Sequence, residues 1–277
     1  MSCGRVFAIM ARMTQARNHT EHGDREVAVA GEVLRTEVGS GVHGIAIKGT
    51  DDHDEMGIYV EPAARVLGFG PRTDHYIYRT QPEGARSGPG DVDLVMYSLR
   101  KYLRLATKGN PTVLLPLYAP PESVMATTAL GDELRAMRRE LLSQQAVHRF
   151  LGFLHSQRKR LLGQEKRNVP NRPELIARYG YDVKYASHAL RLAYQGLEIA
   201  RDARLTLPMP EHERERVLRV KRGDVRDMHE ALAEIDGVAA QVEQLLADGR
   251  TPLPERPDLD AITAWATDAH RRHWGWR

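Results

Sequence analysis

Two aspartates separated by one residue stand where an apolar run begins, a spacing typical of a metal site. Asp52 and Asp54 flank His53 and precede the run Met56 to Val60, which has the character of a strand. Side chains alternate between the two faces of a strand, so residues two apart project from the same face. Carboxylates held together repel each other unless a cation neutralises them, and such hard oxygen ligands suit Mg²⁺. The pair therefore predicts a Mg²⁺ site.

A glycine turn upstream of these aspartates supplies the second half of the chemistry. The stretch from Val33 to Val38 has the character of a short strand, and Gly39, Ser40 and Gly41 follow it. Glycine leaves backbone N–H groups open to an anion, and the serine hydroxyl adds another donor. We therefore expect Gly39 and Ser40 to bind phosphate beside the metal.

A third acid is required, because one carboxylate pair rarely completes a site for two metal ions. Asp93 precedes the apolar run Leu94 to Tyr97, which predicts a neighbouring strand. Asp91 lies two residues earlier and would project from the same face. On spacing alone, either aspartate completes the set.

Longer stretches of the sequence resemble a known family. The Gly-Ser turn, the Asp-x-Asp pair and the later strand-borne aspartate together resemble the DNA polymerase β superfamily of nucleotidyltransferases. Within it, four stretches are similar to the RNA-ligase-associated nucleotidyltransferases, often called RlaP. They are YSLRKYLRLATKGNP from Tyr97, FLHSQRKRL from Phe153, KYASHALRL from Lys184 and LPERPD from Leu253. The resemblance runs from about Val33 to Trp265.

The resemblance implies a reaction and a role for each acid. Asp52 and Asp54 bridge two Mg²⁺ ions, and Asp93 rather than Asp91 holds the ion that activates the acceptor. The glycine turn binds the terminal phosphates of a nucleoside triphosphate. The implied enzyme is a metal-dependent nucleotidyltransferase that moves a nucleoside monophosphate to a hydroxyl group and releases pyrophosphate. The expected acceptor is an RNA end, with functional association with an RNA ligase.

The motif departs from the family's pattern in two places. The usual Arg-x-Tyr after the Gly-Ser is here Gly-Val-His, which starts at Gly41, and one extra residue precedes the aspartate pair. Alignment on Gly57 selects Asp52 and Asp54, whereas a shifted alignment would include Asp51.

Two other functions stay open at this point. Transfer to a protein side chain or to a small molecule would keep the same chemistry with another acceptor. A non-catalytic nucleotide or RNA sensor would keep the fold, but it has no need of a third carboxylate.

These motifs require a strand-rich half followed by a helical half. Strand character ends before Pro120 and Pro121, and apolar residues then recur at helical spacing. Helix caps are predicted at Ser143, Asp182 and Asp224, and a last helix is predicted after Pro257 and Asp258. We therefore predict an α+β fold with three parts. They are an unstructured extension over residues 1–24, a polymerase-β-like nucleotidyltransferase domain with a small mixed sheet flanked by helices over residues 25–121, and an all-helical domain over residues 122–277.

A row of basic residues follows one face of the second helix in the helical half. Lys184, His188 and Arg191, together called the cation rail, lie with Gln195 at spacings of three and four, opposite the apolar stripe. One interpretation is a solvated outer face. The resemblance of KYASHALRL to the family favours the other, in which the cation rail faces the triphosphate and completes the active site.

Two further basic stretches are interpreted as ordinary surface. Gln157, Arg158 and Arg160 cluster on the preceding helix. Arg79 to Arg86 lies in a segment too rich in glycine and proline for long regular elements, and the alternative places it across the nucleotide cleft.

The composition is that of a globular protein, with 42% hydrophobic and 28% charged residues, which excludes a largely disordered chain. The formal charge of +3 is compatible with a polyanionic substrate. Cys3 is the only cysteine, so no internal disulfide forms and a cytoplasmic location is expected. No apolar run approaches the ~20 residues of a membrane helix, so we expect no membrane association.

Overall fold

The computed structural model describes residues 19–47, 49, 52–70, 74–164 and 172–276 of the chain. Contacts within the chain divide it into two units. Of the described residues, the sheet unit comprises those up to 105, residues 115–138 and those from 258 onward, and the helical unit comprises residues 106–114 and those between 139 and 257.

A six-stranded mixed sheet forms the centre of the sheet unit. Its strands are β1 (Thr20–His22), β2 (Glu32–Glu37), β3 (His53–Tyr59), β4 (His75–Arg79), β5 (Val92–Ser98) and β6 (Val124–Thr127). Their order across the sheet is β1-β4-β5-β3-β2-β6. Strands β3 and β5 run parallel, and the other neighbours pair antiparallel. The predicted α+β class is confirmed.

One face of the sheet carries the apolar core and thereby fixes where the acids point. The core consists of Ala28 from the helix α1 (Arg25–Ala30), with Tyr59, Tyr76, Tyr78, Leu94 and Met96 from the strands. Burying a large apolar side chain stabilises the fold by roughly 1.5–3 kcal/mol. Because side chains alternate along a strand, Asp54 and Asp93 project from the opposite face.

The strand β1 corrects the predicted amino-terminal extension. It pairs antiparallel with β4, with Thr20 opposite Arg79. The Tyr76 hydroxyl donates to Glu21 Oε1 at 2.6 Å. The expectation of an unstructured segment is therefore wrong for residues 20–22, since a three-residue edge strand is too short to give a periodic signal. Residues 1–18 lie outside the described part of the chain.

The predicted boundary at Pro120 and Pro121 also differs from the observed division. The strand β6 lies beyond these prolines and pairs with β2. The helix Leu259–His273, predicted in the helical domain, belongs to the sheet unit. Trp265 Nε1 in this helix donates to Glu133 Oε2 at 3.3 Å. Periodicity shows where a helix forms but not which unit it joins.

The remaining helices fall into two groups, one among the strands before residue 140 and one in the helical unit after it. The first group, after α1, is α2 (Gly39–Val42), α3 (Ala63–Leu67), α4 (Leu99–Ala106), α5 (Leu115–Tyr118) and α6 (Ala129–Ala136). The second group is α7 (Gln144–Leu161), α8 (Pro173–Tyr179), α9 (Val183–Asp202), α10 (Glu211–Arg222) and α11 (Met228–Ala247), and the helix Leu259–His273 is α12.

The caps of the helical unit agree with the sequence in part. Asp182 caps α9, because its side chain accepts from the backbone N–H groups of Lys184 and Tyr185. The prediction for Asp224 is wrong. The chain turns after α10, and Asp227 caps α11 by accepting from the His229 N–H at 2.8 Å.

Among the described residues, no helix has both the length and the apolar character that crossing a membrane requires.

Candidate active site

Three aspartates meet at the amino-terminal ends of β3 and β5. The parallel register places Asp54 directly opposite Asp93. Asp52 lies two residues before Asp54, just ahead of β3. One carboxylate oxygen from each of the three lies within 4.8 Å of the other two, and all three residues are half-buried. The structure thus brings Asp52, Asp54 and Asp93 together, and we call them the acid cluster.

Asp91, the alternative third acid, is engaged elsewhere. Its Oδ1 accepts from the Thr80 hydroxyl and its Oδ2 from the Gly88 N–H, both at 2.8 Å. These bonds close the turn before β5. Asp51, the other alternative, lies outside the described residues.

The glycine turn packs directly against the acid cluster. Gly39 has φ +72°, and a Cβ atom there would lie 2.1 Å from Asp54 Oδ2. The Val38 N–H donates to the Asp54 carbonyl at 2.8 Å, which ties the turn to β3. Glycine is therefore required at position 39 by both backbone conformation and space. Ser40 follows in the short helix α2 and is half-buried.

The donor set of the acid cluster fits Mg²⁺. Three carboxylates supply only hard oxygen ligands, and like charges this close favour a cation between them. Within the described ranges, this is the one group of three or more His, Cys, Asp or Glu side chains close enough to share an ion. The residues present therefore suit the cofactor that the sequence predicts.

A buried charge network holds the opposite face of β3. Glu55 Oε2 accepts from Arg35 Nη1 at 2.9 Å, with side chains 1% and 4% exposed respectively. His53 Nε2 lies 3.0 Å from Glu55 Oε1. The hydrogen bond to Glu55 raises the pKa of His53, although burial opposes it. This network anchors the strand that carries Asp54. Sequence reasoning missed it, because the pairing of β2 with β3 was unknown.

The segment between β4 and β5 supplies partners for Asp93 that sequence reasoning also missed. Gln81 Nε2 donates to Asp93 Oδ1 and the Ser87 hydroxyl to Asp93 Oδ2, both at 2.8 Å. Arg79 Nε lies 3.7 Å from Asp93 Oδ1, too far for a good hydrogen bond. The sequence favoured plain surface for Arg79 to Arg86, and glycine-rich segments give no periodic signal.

The cation rail lies in the helical unit, on α9. Lys184 is exposed, whereas His188 and Arg191 are half-buried and Gln195 is buried. Arg191 Nη1 donates to Gln195 Oε1 at 2.8 Å. The rail is therefore not a fully solvated outer face, because neighbouring helices cover most of α9.

The electrostatics of the rail differ from one residue to the next. Burial, together with the neighbouring cations of Arg191, Lys184 and Arg160, lowers the pKa of His188 to about 3. Burial also lowers the pKa of Arg191 to about 10. Near neutral pH the rail therefore carries positive charge on Lys184 and Arg191 around a neutral imidazole.

The second basic group on α7 is not simple surface. Gln157 is buried. Arg158 donates to both carboxylate oxygens of Asp236, at 2.7 and 2.9 Å. Arg160 contributes to the positive potential at His188. The interpretation as exposed surface is therefore wrong for Gln157.

Comparison with known families gives one extensive match. Residues 8–267 match the family described as RNA repair pathway DNA polymerase beta family, RlaP. This range contains the acid cluster, the glycine turn and the cation rail.

Two individual proteins are also similar to the chain. An uncharacterized 38.9 kDa protein from the nrdC-mobD intergenic region of Enterobacteria phage T4 is 30% identical over 93 residues, which cover 34% of this chain and 27% of that protein. The match thus spans about a quarter of the phage protein. A crystallised nucleotidyltransferase-like protein from Exiguobacterium sibiricum 255-15 is 11% identical, with a TM-score of 0.30, over 89% of this chain and 74% of that one.

Proposed function

Since the chain belongs to the RNA repair pathway DNA polymerase beta family, we propose that it is a metal-dependent nucleotidyltransferase that acts on RNA ends. It transfers a nucleoside monophosphate from a nucleoside triphosphate to a hydroxyl group and releases pyrophosphate. The observation that carries this proposal is the acid cluster, whose three carboxylates converge beside the glycine turn. Membership of the family supports nucleotidyl transfer in general, and the metal and the RNA acceptor are the finer parts of the proposal.

Asp52, Asp54 and Asp93 are the residues that would hold the Mg²⁺ ions. Two such ions, when bound, supply Lewis-acid stabilisation of the attacking and leaving oxygens. The half-buried position of the three carboxylates supports this role, because lower solvent exposure strengthens their attraction for a cation.

Asp93 is proposed to take the proton of the acceptor hydroxyl. A carboxylate can act as a general base when it lies within hydrogen-bonding distance of the proton that it removes. Asp93 stands across the strand pair from Asp54, so an acceptor at this acid would also lie close to the other two.

Gly39 and Ser40 are proposed to bind the terminal phosphates. The turn has no side chain at Gly39, and its backbone lies against Asp54. A phosphate here could accept from backbone N–H groups and from the Ser40 hydroxyl while it remains close to the acid cluster.

Lys184, His188 and Arg191 are proposed to bind the triphosphate, Lys184 and Arg191 through their positive charge and His188 as a neutral hydrogen-bonding group. The leaving pyrophosphate gains negative charge during transfer, so fixed cations stabilise the transition state more than the ground state. The surroundings of His188 support this role, since Arg191, Lys184 and Arg160 all lie close enough to lower its pKa.

The acceptor is proposed to be an RNA end, in functional association with an RNA ligase that acts on the same ends. The family description and the net charge of +3 support this choice. If the acceptor is a polynucleotide, binding should weaken steeply as salt rises, because phosphate contacts release counterions.

The proposal is tested by incubating the full chain with Mg²⁺, each α-labelled nucleoside triphosphate in turn, and RNAs that differ only in their ends. We expect labelled RNA and an equal amount of pyrophosphate. Label on the protein or on a small molecule would identify another acceptor. Nucleotide binding without pyrophosphate release would instead indicate a sensor.

A further inference from the structure

The segment from Thr80 to Asp91, which joins β4 to β5, turns back onto the acid cluster. Two of its side chains occupy both oxygens of one carboxylate. Gln81 Nε2 donates to Asp93 Oδ1, and the Ser87 hydroxyl donates to Asp93 Oδ2, each at 2.8 Å. Gln81 Nε2 also donates to Ser87 Oγ at 2.6 Å, so the two donors are linked to each other.

These donors are themselves held in place. Gln81 is only 6% exposed. Its carbonyl accepts from the Thr20 hydroxyl of β1 at 2.9 Å. The Thr80 N–H donates to the Val92 carbonyl at 3.1 Å, which closes the base of the segment. Gln81 therefore has little freedom to leave Asp93.

The two hydrogen bonds fix the orientation of the Asp93 carboxylate. A carboxylate has about four acceptor positions, and these bonds occupy one on each oxygen. Unbonded, the group would rotate about its last torsion, which has a broad energy minimum. Held at both oxygens, Asp93 keeps its remaining acceptor positions in one arrangement beside Asp52 and Asp54.

We propose that Gln81 and Ser87 are positioning residues that preorganise Asp93 for metal binding. This inference rests on the proposed function, because it takes Asp93 as a metal ligand. Hydrogen-bonding partners of metal ligands typically change metal affinity by about 10–100-fold when removed. The β4–β5 segment would thereby support the metal site through its two hydrogen bonds to Asp93.

Thr80 offers a matched control in the same segment. Its hydroxyl donates to Asp91 Oδ1 at 2.8 Å, accepts from the Val92 N–H at 2.9 Å and lies 3.3 Å from Gln81 Oε1, which is not the atom of Gln81 that bonds Asp93. Thr80→Val therefore loosens the segment without removing a partner of Asp93. Ser87→Thr keeps the hydroxyl and serves as the conservative variant.

The experiment is a titration of the full chain with Mn²⁺ in the absence of nucleotide. Electron paramagnetic resonance measures the free ion at each step. We expect Gln81→Ala and Ser87→Ala each to weaken Mn²⁺ binding by about 10–100-fold. Thr80→Val and Ser87→Thr should stay within about threefold of the wild type. Thermal melting of each variant reports whether the fold is kept.

The outcomes separate the two claims. If Asp93→Asn weakens Mn²⁺ binding while Gln81→Ala and Ser87→Ala do not, the positioning role is wrong and the proposed metal site stands. An equal loss in Thr80→Val would also overturn the positioning role, since a loosened segment would then explain the effect. If the wild type binds no Mn²⁺, or Asp93→Asn binds it normally, the metal site fails and this inference fails with it.

Discussion

The acid cluster and the cation rail each bring like charges together, but strand pairing positions the acids whereas helical spacing positions the rail. In the sheet unit, the parallel register of β3 and β5 places Asp54 beside Asp93. In the helical unit, spacing puts the three rail residues on one side of α9, yet packing leaves Lys184 exposed and His188 and Arg191 half-buried. Hydrogen bonds from Gln81 and Ser87 hold Asp93 in the cluster, and a bound cation would offset the repulsion among the three carboxylates. In the rail, the imidazole of His188 is neutral near pH 7, which limits the repulsion among the neighbouring cations.

The largest effect should come from a matched pair of substitutions in the sheet unit. Asp93→Asn removes a charge from the acid cluster and should lower the transfer rate at least about a thousandfold, roughly 4 kcal/mol. Asp91→Asn keeps an oxygen acceptor in the turn and should stay within about twofold of the wild type. Single-turnover rates decide between them. If Asp91→Asn is inactive and Asp93→Asn is active, the third metal ligand is Asp91 rather than Asp93.

The buried network behind the acid cluster should dominate the stability of the sheet unit. Glu55→Ala removes the buried partner of Arg35 Nη1, leaving Glu32 beside Arg35 Nε at 2.9 Å, and should reduce the free energy of unfolding by about 3 kcal/mol. The exposed pair of Arg250 and Asp248 provides the control, and Asp248→Ala should cost less than about 1 kcal/mol. Urea unfolding measures both. Equal losses would show that burial of the network does not matter.

A smaller effect is expected at the exposed end of the cation rail. Lys184→Ala should lower kcat/KM at least about tenfold, roughly 1.4 kcal/mol, because a phosphate-binding charge is lost. Its melting temperature should change little, since Lys184 is exposed. Lys159→Ala removes another exposed lysine, on α7, and should leave the kinetics unchanged. Wild-type kinetics in Lys184→Ala would show that Lys184 is an ordinary surface residue with no role in phosphate binding.

The smallest effect is expected in the pH dependence of the melting temperature. Burial and the neighbouring cations hold the pKa of His188 at about 3, below the ordinary value of 6.5. As the pH falls below 6.5, the imidazole of His188 becomes protonated in the unfolded chain but stays neutral in the folded chain. The stability of the folded state therefore decreases. In His188→Gln this contribution is gone, and the melting temperature should fall less between pH 7 and pH 5. An equal fall in melting temperature in the two proteins would show that His188 has a more polar environment than the structure gives it.

The strand pattern made most of the acid cluster predictable from the sequence. Alternation put Asp52 and Asp54 on one face, and an apolar run after Asp93 indicated a neighbouring strand. Alternation could not choose between Asp91 and Asp93, since both have the same phase. The structure distinguishes them by their partners, because Asp91 closes a turn while Asp93 joins the cluster.

The parts that sequence could not predict depend on contacts between distant segments. Gln81 and Ser87 lie in irregular structure, and nothing in their spacing points to Asp93. The strand β1 is too short for a periodic signal, yet its Thr20 holds the carbonyl of Gln81. Helical periodicity likewise placed α12 correctly but gave no sign that Trp265 would contact Glu133 in the sheet unit.

The most direct test of the account is Mg²⁺-dependent pyrophosphate release by the wild type and by Asp54→Asn, measured with nucleoside triphosphate and RNA. Asp54 lies against Gly39 and opposite Asp93, so it connects the glycine turn with the acid cluster. We predict release that requires Mg²⁺ in the wild type and none in Asp54→Asn, whose melting temperature without metal should be unchanged or higher because charge repulsion is relieved. Mg²⁺-dependent release that persists in Asp54→Asn would contradict the assignment of the metal site.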